Sequence, residues 1–368
     1  MRRLRVALDA RKLRDFGIGT YVRGLLGAAA ERGEHDLVAI VRPGDEALLP
    51  SGVEAAACDA GGYTLAELVA VRRALAAVRP DVFHAPHYVV PLLPPRATVV
   101  TVHDLIHLRR PEHATLARRL YATTMLRRAL RAARVVLTVS EAVRRDLAGF
   151  APRQAGKVRV VPNGVEPRFL APVPESERER VRRAAGLDTP WVLFLGNDKP
   201  HKNLGGLLAA FARLVRAGVP HRLVLAGGAA ERREERRDAA AAAGVAERVV
   251  DLGVLPDADV LPLLAGASAL AMPSFLEGFG LPVLEAQAVG TPVACSPRGG
   301  LAEAAGDAAL FADPDDPGAL ADALLRLLTD AELASRLSAR GRERARAFTW
   351  GAAYGKVASA WRDAAEGA

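Results

Sequence analysis

The chain has 368 residues, 50% hydrophobic and 25% charged, a balance that excludes wholesale disorder and is that of a globular protein. Its length passes the point at which a single core stops growing, so two domains are expected. The net charge of +8 is uneven: residues 1–175 hold 27 Lys/Arg against 17 Asp/Glu, whereas residues 176–368 hold 23 against 25.

A basic first half suits an anionic substrate or an anionic lipid surface. It does not point to nucleic acid, because the arginines are dispersed in pairs, aromatic residues are 5%, and no zinc-finger or RNP-like pattern occurs. The basic start "MRRLRVALDARKLRDFGIGTYVRG" lacks an apolar core of signal-peptide length. No segment reaches the roughly 18 uninterrupted apolar residues of a membrane span, so a cytoplasmic location is expected. Cys58 and Cys295 lie far apart and suggest neither a disulfide framework nor a cysteine metal site; Cys295 ends the apolar run "TPVAC" and reads as a small core residue.

The first half alternates short apolar runs with helical patterns. In order these are "LRVALDA" (4–10), a helix from about Thr20 to Glu31, "DLVAIV" (36–41), a helix near 65–78, "VFHA" (82–85), "ATVVTVHD" (97–104), a helix near 113–132, "RVVLTVS" (134–140), a helix near 141–149 and "KVRVVPNGV" (157–165). Apolar runs of this length between helices predict parallel strands buried on both faces, hence an α/β fold. The proline-rich, charged stretch 166–190 marks the passage between halves. The pattern then restarts with strands at 191–196, 221–228, 248–253, 269–274, 292–295 and 308–312 and helices at 203–218, 234–244, 257–267 and 282–289.

Two successive doubly wound domains follow, 1–175 and 176–345, with a final helical segment, 346–368, expected to cross back onto the first. In such folds ligands bind at the carboxyl ends of strands, and the gap between two such domains makes a cleft.

The segment "SFLEGFGLPVLEAQAVGTPV" (274–293) places Glu277 in the loop after a strand and Glu285 in the first turns of a helix, with Pro282 at its start and Gly290 at its end. On one continuous helix, carboxylates eight positions apart would be about 12 Å apart on different sides; the glycine turn removes that restriction. The Gly-Phe-Gly turn lets backbone approach a ligand, and the following helix offers N–H groups to an anion. The carboxylates would accept hydrogen bonds from hydroxyls, and a nucleotide sugar supplies both kinds of group. The alternative is a pair of capping and solubilising acids beside a structural turn.

In "FLGNDKPHKNLGG", Lys199, His201 and Lys202 sit at a strand end just before a helix capped near Asn203, which suits a diphosphate. "GG" at 227–228 is a tight approach or a plain turn. Gly17 and Gly19 in "DFGIGTYVRG" resemble a phosphate loop, although Val22 stands where the dinucleotide fingerprint has its last glycine. His103 and Asp104 end a strand and suit a sugar hydroxyl or proton transfer. His103 and His107 do not form a zinc-protease motif, since no Glu follows His103. His84 and His87 are read first as structural and second as acceptor-side residues. Ser140 caps a helix with no Gly-x-Ser-x-Gly around it, and Asn163-Gly164 is a turn pair.

Taken together, "FGIGTY", "HD", "TVSEAVRRDL", "VVPNGV", "FLGNDKPHKNL", "LAGG" and above all the Glu-x7-Glu segment "PSFLEGFGLPVLEAQAVGTPV" resemble a retaining glycosyltransferase of family 4, in motif style nearest its mannosyltransferase-rich subgroup. The resemblance covers nearly the whole chain. It implies the GT-B fold, two Rossmann-like domains facing each other across a cleft, and transfer of a hexosyl group from a nucleotide diphosphate sugar to a hydroxyl with the α configuration kept. By position it assigns Glu277 to the donor sugar and Glu285 to the ribose. It puts the backbone of Phe279, Gly280, Leu281 and Pro282 by the sugar and diphosphate, with Gly278 also among the donor-binding residues, Lys202 on the diphosphate, Gly17 and Gly19 in the loop facing it, and His103 at the acceptor side. His103, Lys202 and Glu277 are the catalytic candidates.

Where many relatives carry an arginine, this chain has Asn197, and His201 stands where the mannosyltransferase subgroup has one, leaving Lys199 as a substitute. The resemblance implies no metal or other cofactor. GDP-mannose is the favoured donor, and a glycan or polyprenyl-linked glycan the favoured acceptor, reached from the inner face of the plasma membrane. A nucleotide-sugar epimerase, a phosphorylase of related shape and a non-catalytic nucleotide-sugar-binding protein are the alternatives.

Overall fold

The computed structural model describes residues 2–60, 64–109 and 115–367. The chain forms two compact units, Met1–Gly164 with Phe348–Ala368, and Val165–Ala347.

The first unit runs β1 (Arg5–Asp9), α1 (Ile18–Arg32), β2 (Asp36–Val41), β3 (Val53–Ala57), α2 (Leu65–Val78), β4 (Val82–Ala85), β5 (Thr98–Val102), α3 (Ile106–Arg109), α4 (Leu116–Ala132), β6 (Val135–Thr138), α5 (Glu141–Phe150) and β7 (Val158–Val160). Its strands pair in parallel in the order β3-β2-β1-β4-β5-β6-β7. The pleat sends Val6 and Leu8 to one face, with Tyr21, Leu25 and Leu26 of α1. Ala7, Ile40 and Phe83 go to the other, against Val71 and Leu75 of α2, Leu126 and Leu130 of α4, and Val143 and Leu147 of α5. Both faces of the central strands are therefore dry, which is why β2, β4, β5 and β6 read as apolar runs, whereas the edge strands β3 and β7 are partly exposed.

The second unit runs α6 (Pro167–Leu170), α7 (Glu175–Ala184), β8 (Trp191–Leu195), α8 (Leu204–Arg216), β9 (Arg222–Ala226), α9 (Arg233–Ala242), β10 (Val249–Gly253), α10 (Asp257–Gly266), β11 (Ala269–Met272), α11 (Leu281–Val289), β12 (Val293–Cys295), α12 (Gly300–Ala305), β13 (Leu310–Phe311), α13 (Pro317–Thr329) and α14 (Ala331–Arg346). Its sheet has the order β10-β9-β8-β11-β12-β13, all parallel. In both sheets the order reverses beside the first strand of the unit, between β1 and β4 and between β8 and β11. At such a switch point the loops leave in opposite directions and open a crevice for a ligand.

The last helix, α15 (Trp350–Glu366), packs into the first unit, burying Trp350, Tyr354, Val357 and Trp361 among Leu8, Tyr21 and Leu25. Gly24 and Gly164 make room for it: a Cβ on Gly24 would stand 2.1 Å from the Trp350 ring, and one on Gly164 2.3 Å from the Trp350 nitrogen. Gly164 thus has a packing role besides its turn role.

Several boundaries differ from the sequence reading. The units divide at Gly164/Val165 rather than 175/176, and at Ala347/Phe348 rather than 345/346. The proline-rich stretch 166–190 is not a free passage, because α6 packs on α11 and α7 on α10 within the second unit. The first glycine loop ends earlier than expected: α1 begins at Ile18, not Thr20, so Gly19 is helical. Strand β3, "VEAAA", was not foreseen because alanine and glutamate carry little strand signal. The first two residues of the helix expected at 113–132 lie outside the described residues.

Candidate functional site at the switch point of the second unit

Strands β8 and β11 are neighbours in the sheet, so the loops at their carboxyl ends meet. The amide of Phe275 donates to the carbonyl of His201 at 2.8 Å. Asn203, held at φ 59° between Lys202 and α8, donates from Nδ2 to the carbonyls of Pro273 and Pro314 at 3.1 and 2.7 Å. Its Oδ1 accepts from the amide of Gly206, capping α8. One side chain therefore closes a helix and fastens two neighbouring loops.

Across this seam Lys202 Nζ lies 2.7 Å from Glu277 Oε1, with the two side chains 13% and 12% exposed. Burial opposes ionisation of Glu277, yet the adjacent Lys202 ammonium, with Ser274 and His201 beside it, holds its pKa below the ordinary carboxylate value. An ammonium has three donors, so pairing with Glu277 leaves donors for another acceptor. Gly196 lies under the same lysine, where an added Cβ would make ordinary contact, 3.5 Å, with Cδ and Cε of Lys202. Asn197 is half-buried, and its Oδ1 accepts from the amide of Lys199 at 3.3 Å. Lys199 itself is exposed, whereas His201 is buried.

The Glu277 loop is clamped by a pair of glycines that the sequence reading missed. The amide of Gly300 donates to the carbonyl of Glu277 at 2.9 Å. A Cβ on Gly300 would stand 2.1 Å from the carbonyl oxygen of Gly278, and one on Gly299 2.4 Å from that of Glu277. "RGG" at 298–300 was the available signal. Gly280 adopts φ 113°, a conformation a side chain would strain, and directs the chain into α11. Phe279 is buried, Leu281 opens the helix, and Pro282 is its second residue. No side chain caps this end and no acid lies in its first turn, so the dipole faces the glycine loop unopposed. Gly290, at φ 85°, ends the helix where the sequence placed the stop.

Glu285 is half-buried on α11, and its pKa is pushed up to about 7 by burial and by the nearby charge of Glu166, against a lowering pull from Arg168. That arginine is already engaged, with Nε 2.9 Å from Glu166 Oε2 and Nη1 2.7 Å from Asp257 Oδ2, while Nη2 donates to Asp257 Oδ1 at 2.9 Å.

A second feature missed by the sequence reading is Arg236. It is 4% exposed and pairs with Asp198 at 2.8 Å and Asp251 at 2.9 Å, while Nη1 also donates to the carbonyl of Ala229. Asp198 in turn accepts from the amide of Ala229 at 2.6 Å. The loop carrying Asn197 and Lys199 is thereby tied to the turn at Gly227 and Gly228, where a Cβ would collide with Gly196 and Arg236. Arg236 was hidden in "EERRDAAAAAG", whose composition is that of a solvated helix face.

In the first unit, His103 follows β5, and its Nε2 donates to the carbonyl of Pro86 at 3.1 Å, leaving Nδ1 as an acceptor. Burial pushes its pKa down to about 4, so the ring is neutral at pH 7. Its ring meets that of Tyr21 edge-on at 4.8 Å. Gly17 stands at φ 61° as the exposed N-cap of α1, and a Cβ on Gly19 would stand 2.5 Å from the carbonyl oxygen of Leu13.

His84 and His87 are buried and hydrogen-bonded within the first unit. Trp361 Nε1 donates to His84 Nδ1 at 3.2 Å, and His84 Nε2 bonds the Thr101 hydroxyl at 2.8 Å. His87 Nδ1 accepts from the Val89 amide and Nε2 bonds Asp9, which also forms a bidentate pair with Arg11. Arg11 reaches Glu67 at 2.9 Å, completing a buried group at the switch point of this sheet. His103 precedes α3, so it shares no helix with His107. Cys295 is buried with its thiol pushed up to about 12 by burial, and Ser140 caps α5. Among the described residues no group of three or more His, Cys, Asp or Glu side chains is placed to hold a metal ion, and no helix is long and apolar enough to cross a membrane.

The sequence matches two families in tandem, Glycosyltransferase Family 4 over residues 17–169 and Glycosyl transferases group 1 over residues 175–344. Among curated proteins it is 31% identical over 273 residues to the O-antigen chain mannosyltransferase B of Escherichia coli, covering 73% of this chain and 71% of that protein. It is 34% identical over 217 residues to the D-inositol 3-phosphate glycosyltransferase of Corynebacterium glutamicum (strain R), covering 56% of this chain and 52% of that protein. The fold is shared with a solved sucrose-phosphate synthase from Thermosynechococcus elongatus, with a TM-score of 0.82 over 100% of both chains at 24% identity. With tandem parallel sheets, a Glu-x7-Glu segment leaving the switch point and matches along both halves, the chain belongs to the family 4 glycosyltransferases of GT-B fold.

Proposed function

We propose that the protein is a retaining hexosyltransferase that moves a mannosyl group from GDP-mannose to a hydroxyl of a glycan or lipid-linked glycan. The observation that carries this reading is the Lys202–Glu277 pair at the β8/β11 switch point, in a chain similar to an O-antigen mannosyltransferase. Glu277 would accept hydrogen bonds from the donor sugar and Glu285 from the ribose. Lys202 and the amide groups at the start of α11 would meet the diphosphate, with Lys199 replacing the cation absent at Asn197.

The reaction breaks the bond between the anomeric carbon and the diphosphate oxygen, whose electron pair leaves with the diphosphate. The acceptor oxygen bonds the same face of that carbon, and its proton passes to the departing diphosphate. Negative charge grows on the leaving group, where the Lys202 ammonium and helix amides stabilise it most. Neutral His103, with Nδ1 unprotonated, would accept a hydrogen bond from a sugar hydroxyl. The basic first half favours recruitment to an anionic membrane surface, where a lipid-linked acceptor is reached. The inositol-phosphate glycosyltransferase relatives favour a second acceptor class, a phosphorylated polyol, whose charge suits the same surface.

The test is a thermal-shift screen of UDP, GDP, ADP and dTDP sugars, followed by release of nucleoside diphosphate with polyprenyl-linked, glycolipid and polyol-phosphate acceptors. GDP-mannose should raise the melting temperature most, and release should need an acceptor and disappear in Glu277→Ala. Binding without release would favour the non-catalytic reading, and conversion of the donor without acceptor the epimerase. A preference for another nucleotide would overturn the mannosyl assignment.

A further inference from the structure

Four side chains of the first unit, each at most 1% exposed, form one hydrogen-bonded line. Trp361 Nε1, on α15, lies 3.2 Å from His84 Nδ1 on β4, and His84 Nε2 lies 2.8 Å from Thr101 Oγ1 on β5. Tyr21 Oη, on α1, stands 3.0 Å from the same hydroxyl. An indole N–H can only donate, so His84 Nδ1 accepts and carries no proton. A ring protonated on Nδ1, or on both nitrogens, would set two donors against each other in a dry place. His84 is therefore neutral with its proton on Nε2, in keeping with the burial that pushes its pKa down to about 3. It donates to Thr101, whose hydroxyl keeps an acceptor site and its own proton, so the bond to Tyr21 is made in either direction. Beyond Tyr21 stands His103, the two ring centroids 4.8 Å apart and the planes at 79°. On its other side His103 is held at one atom, where Nε2 donates to the Pro86 carbonyl at 3.1 Å.

We propose that Trp361, acting through His84, Thr101 and Tyr21, is a positioning residue for His103, fixing that ring with Nδ1 open to a sugar hydroxyl. This rests on the reading of His103 as the acceptor-side contact. The Pro86 bond alone leaves the ring free to swing about its Nε2–H···O axis. An edge-on tyrosine removes that freedom only if it cannot itself turn away. Thr101 and His103 are two positions apart, on one face of the extended chain, so the Thr101 hydroxyl ties Tyr21 to the strand that carries His103. Without that bond Tyr21 would follow α1 instead. Trp361 completes the line, because its N–H leaves His84 one tautomer and so keeps a donor aimed at Thr101. Apolar side chains would fill the same space, but only a fully satisfied polar line also fixes an orientation.

The test uses the full chain. Without ligand, nitrogen chemical shifts and nitrogen–proton couplings should show His84 and His103 neutral and protonated on Nε2; a His84 proton on Nδ1 overturns the proposal without any variant. Trp361→Phe removes the donor, and Thr101→Val removes the hydroxyl at nearly constant volume. In each, the Nε2 proton of His103 should exchange with water about 3- to 10-fold faster, the worth of one buried hydrogen bond. With GDP-mannose and a polyprenyl-linked glycan, kcat should fall by about the same factor while the donor KM stays nearly constant. Thr101→Ser, which restores the hydroxyl, should recover both, and Thr101→Val should add little in a Tyr21→Phe chain. A merely structural role would lower the melting temperature and leave kcat and the His103 signals as in wild type, which would overturn the proposal. Should Trp361→Phe fold poorly, Thr101→Val and Thr101→Ser still decide. His103→Gln separates the two readings: wild-type kcat there refutes the acceptor-side contact itself, whereas a slow His103→Gln beside an unimpaired Thr101→Val refutes only the positioning line. A wild-type chain inactive on these substrates refutes their assignment, and the His103 signals then decide the line alone.

Discussion

Lys202 Nζ and Glu277 Oε1 lie 2.7 Å apart although 75 positions separate them, because each follows a strand and the two strands are neighbours in the sheet. Removing one partner leaves the other charge poorly compensated in a mostly dry place. Lys202→Met should destabilise the second unit by about 3 kcal/mol and lower the transfer rate by about 100-fold or more. Denaturant melts and a nucleoside-diphosphate release assay check this. Because Glu277 is held below the ordinary carboxylate value, its contribution is present at neutral pH and lost as pH falls through that lowered value. Lys202→Met should remove this part of the acid sensitivity.

Gly300 tests whether the clamp on the Glu277 loop matters. Its added Cβ would stand 2.1 Å from a backbone oxygen, which cannot rotate away as a side chain can. Gly300→Ala should cost about 1–3 kcal/mol and weaken nucleotide-sugar binding, whereas the same change at Gly205, where a Cβ meets open space, should do neither. Paired melting curves with and without ligand make the comparison.

His84 and His103 are both neutral in the folded chain, with pKa values pushed down to about 3 and about 4, chiefly by burial. Unfolding releases them to an ordinary value near 6.5, so the unfolded chain binds more protons below that pH. Stability should therefore fall as pH drops from about 6.5 to about 4, by up to ~1.4 kcal/mol per pH unit for each ring. His84→Asn should flatten part of this slope, and nitrogen chemical shifts should show neither ring titrating between pH 5.5 and 8 in the native protein.

Arg236→Met would leave Asp198 and Asp251 without their buried cation. The expected loss is about 3 kcal/mol of stability. The donor KM should rise more than kcat falls, because the loop bearing Asn197 and Lys199 would loosen while Lys202 and Glu277 stay joined. Steady-state kinetics separate the two parameters.

The order of apolar runs and helical patterns was enough to specify two parallel α/β units, because strands buried on both faces must be apolar throughout and helices must carry a stripe. Turn chemistry was equally local: Gly290 ends α11 and Asn203 caps α8 as read, since both depend on backbone conformation within a few residues. The glycine-bounded Glu-x7-Glu segment marked the candidate site for the same reason.

Tertiary structure decided which distant residues share that site. No spacing reveals that Gly299 and Gly300 hold the Glu277 loop, that Arg236 is buried between two aspartates, or that Arg168 joins Glu166 to Asp257. These arrangements depend on sheet order, which brings the ends of β8 and β11 together, and on α6 packing back onto α11. Charge state followed the same rule. Lys202 lowers the pKa of Glu277, while burial and a neighbouring acid raise that of Glu285, so two identical side chains eight positions apart acquire opposite shifts from surroundings that only the folded chain supplies.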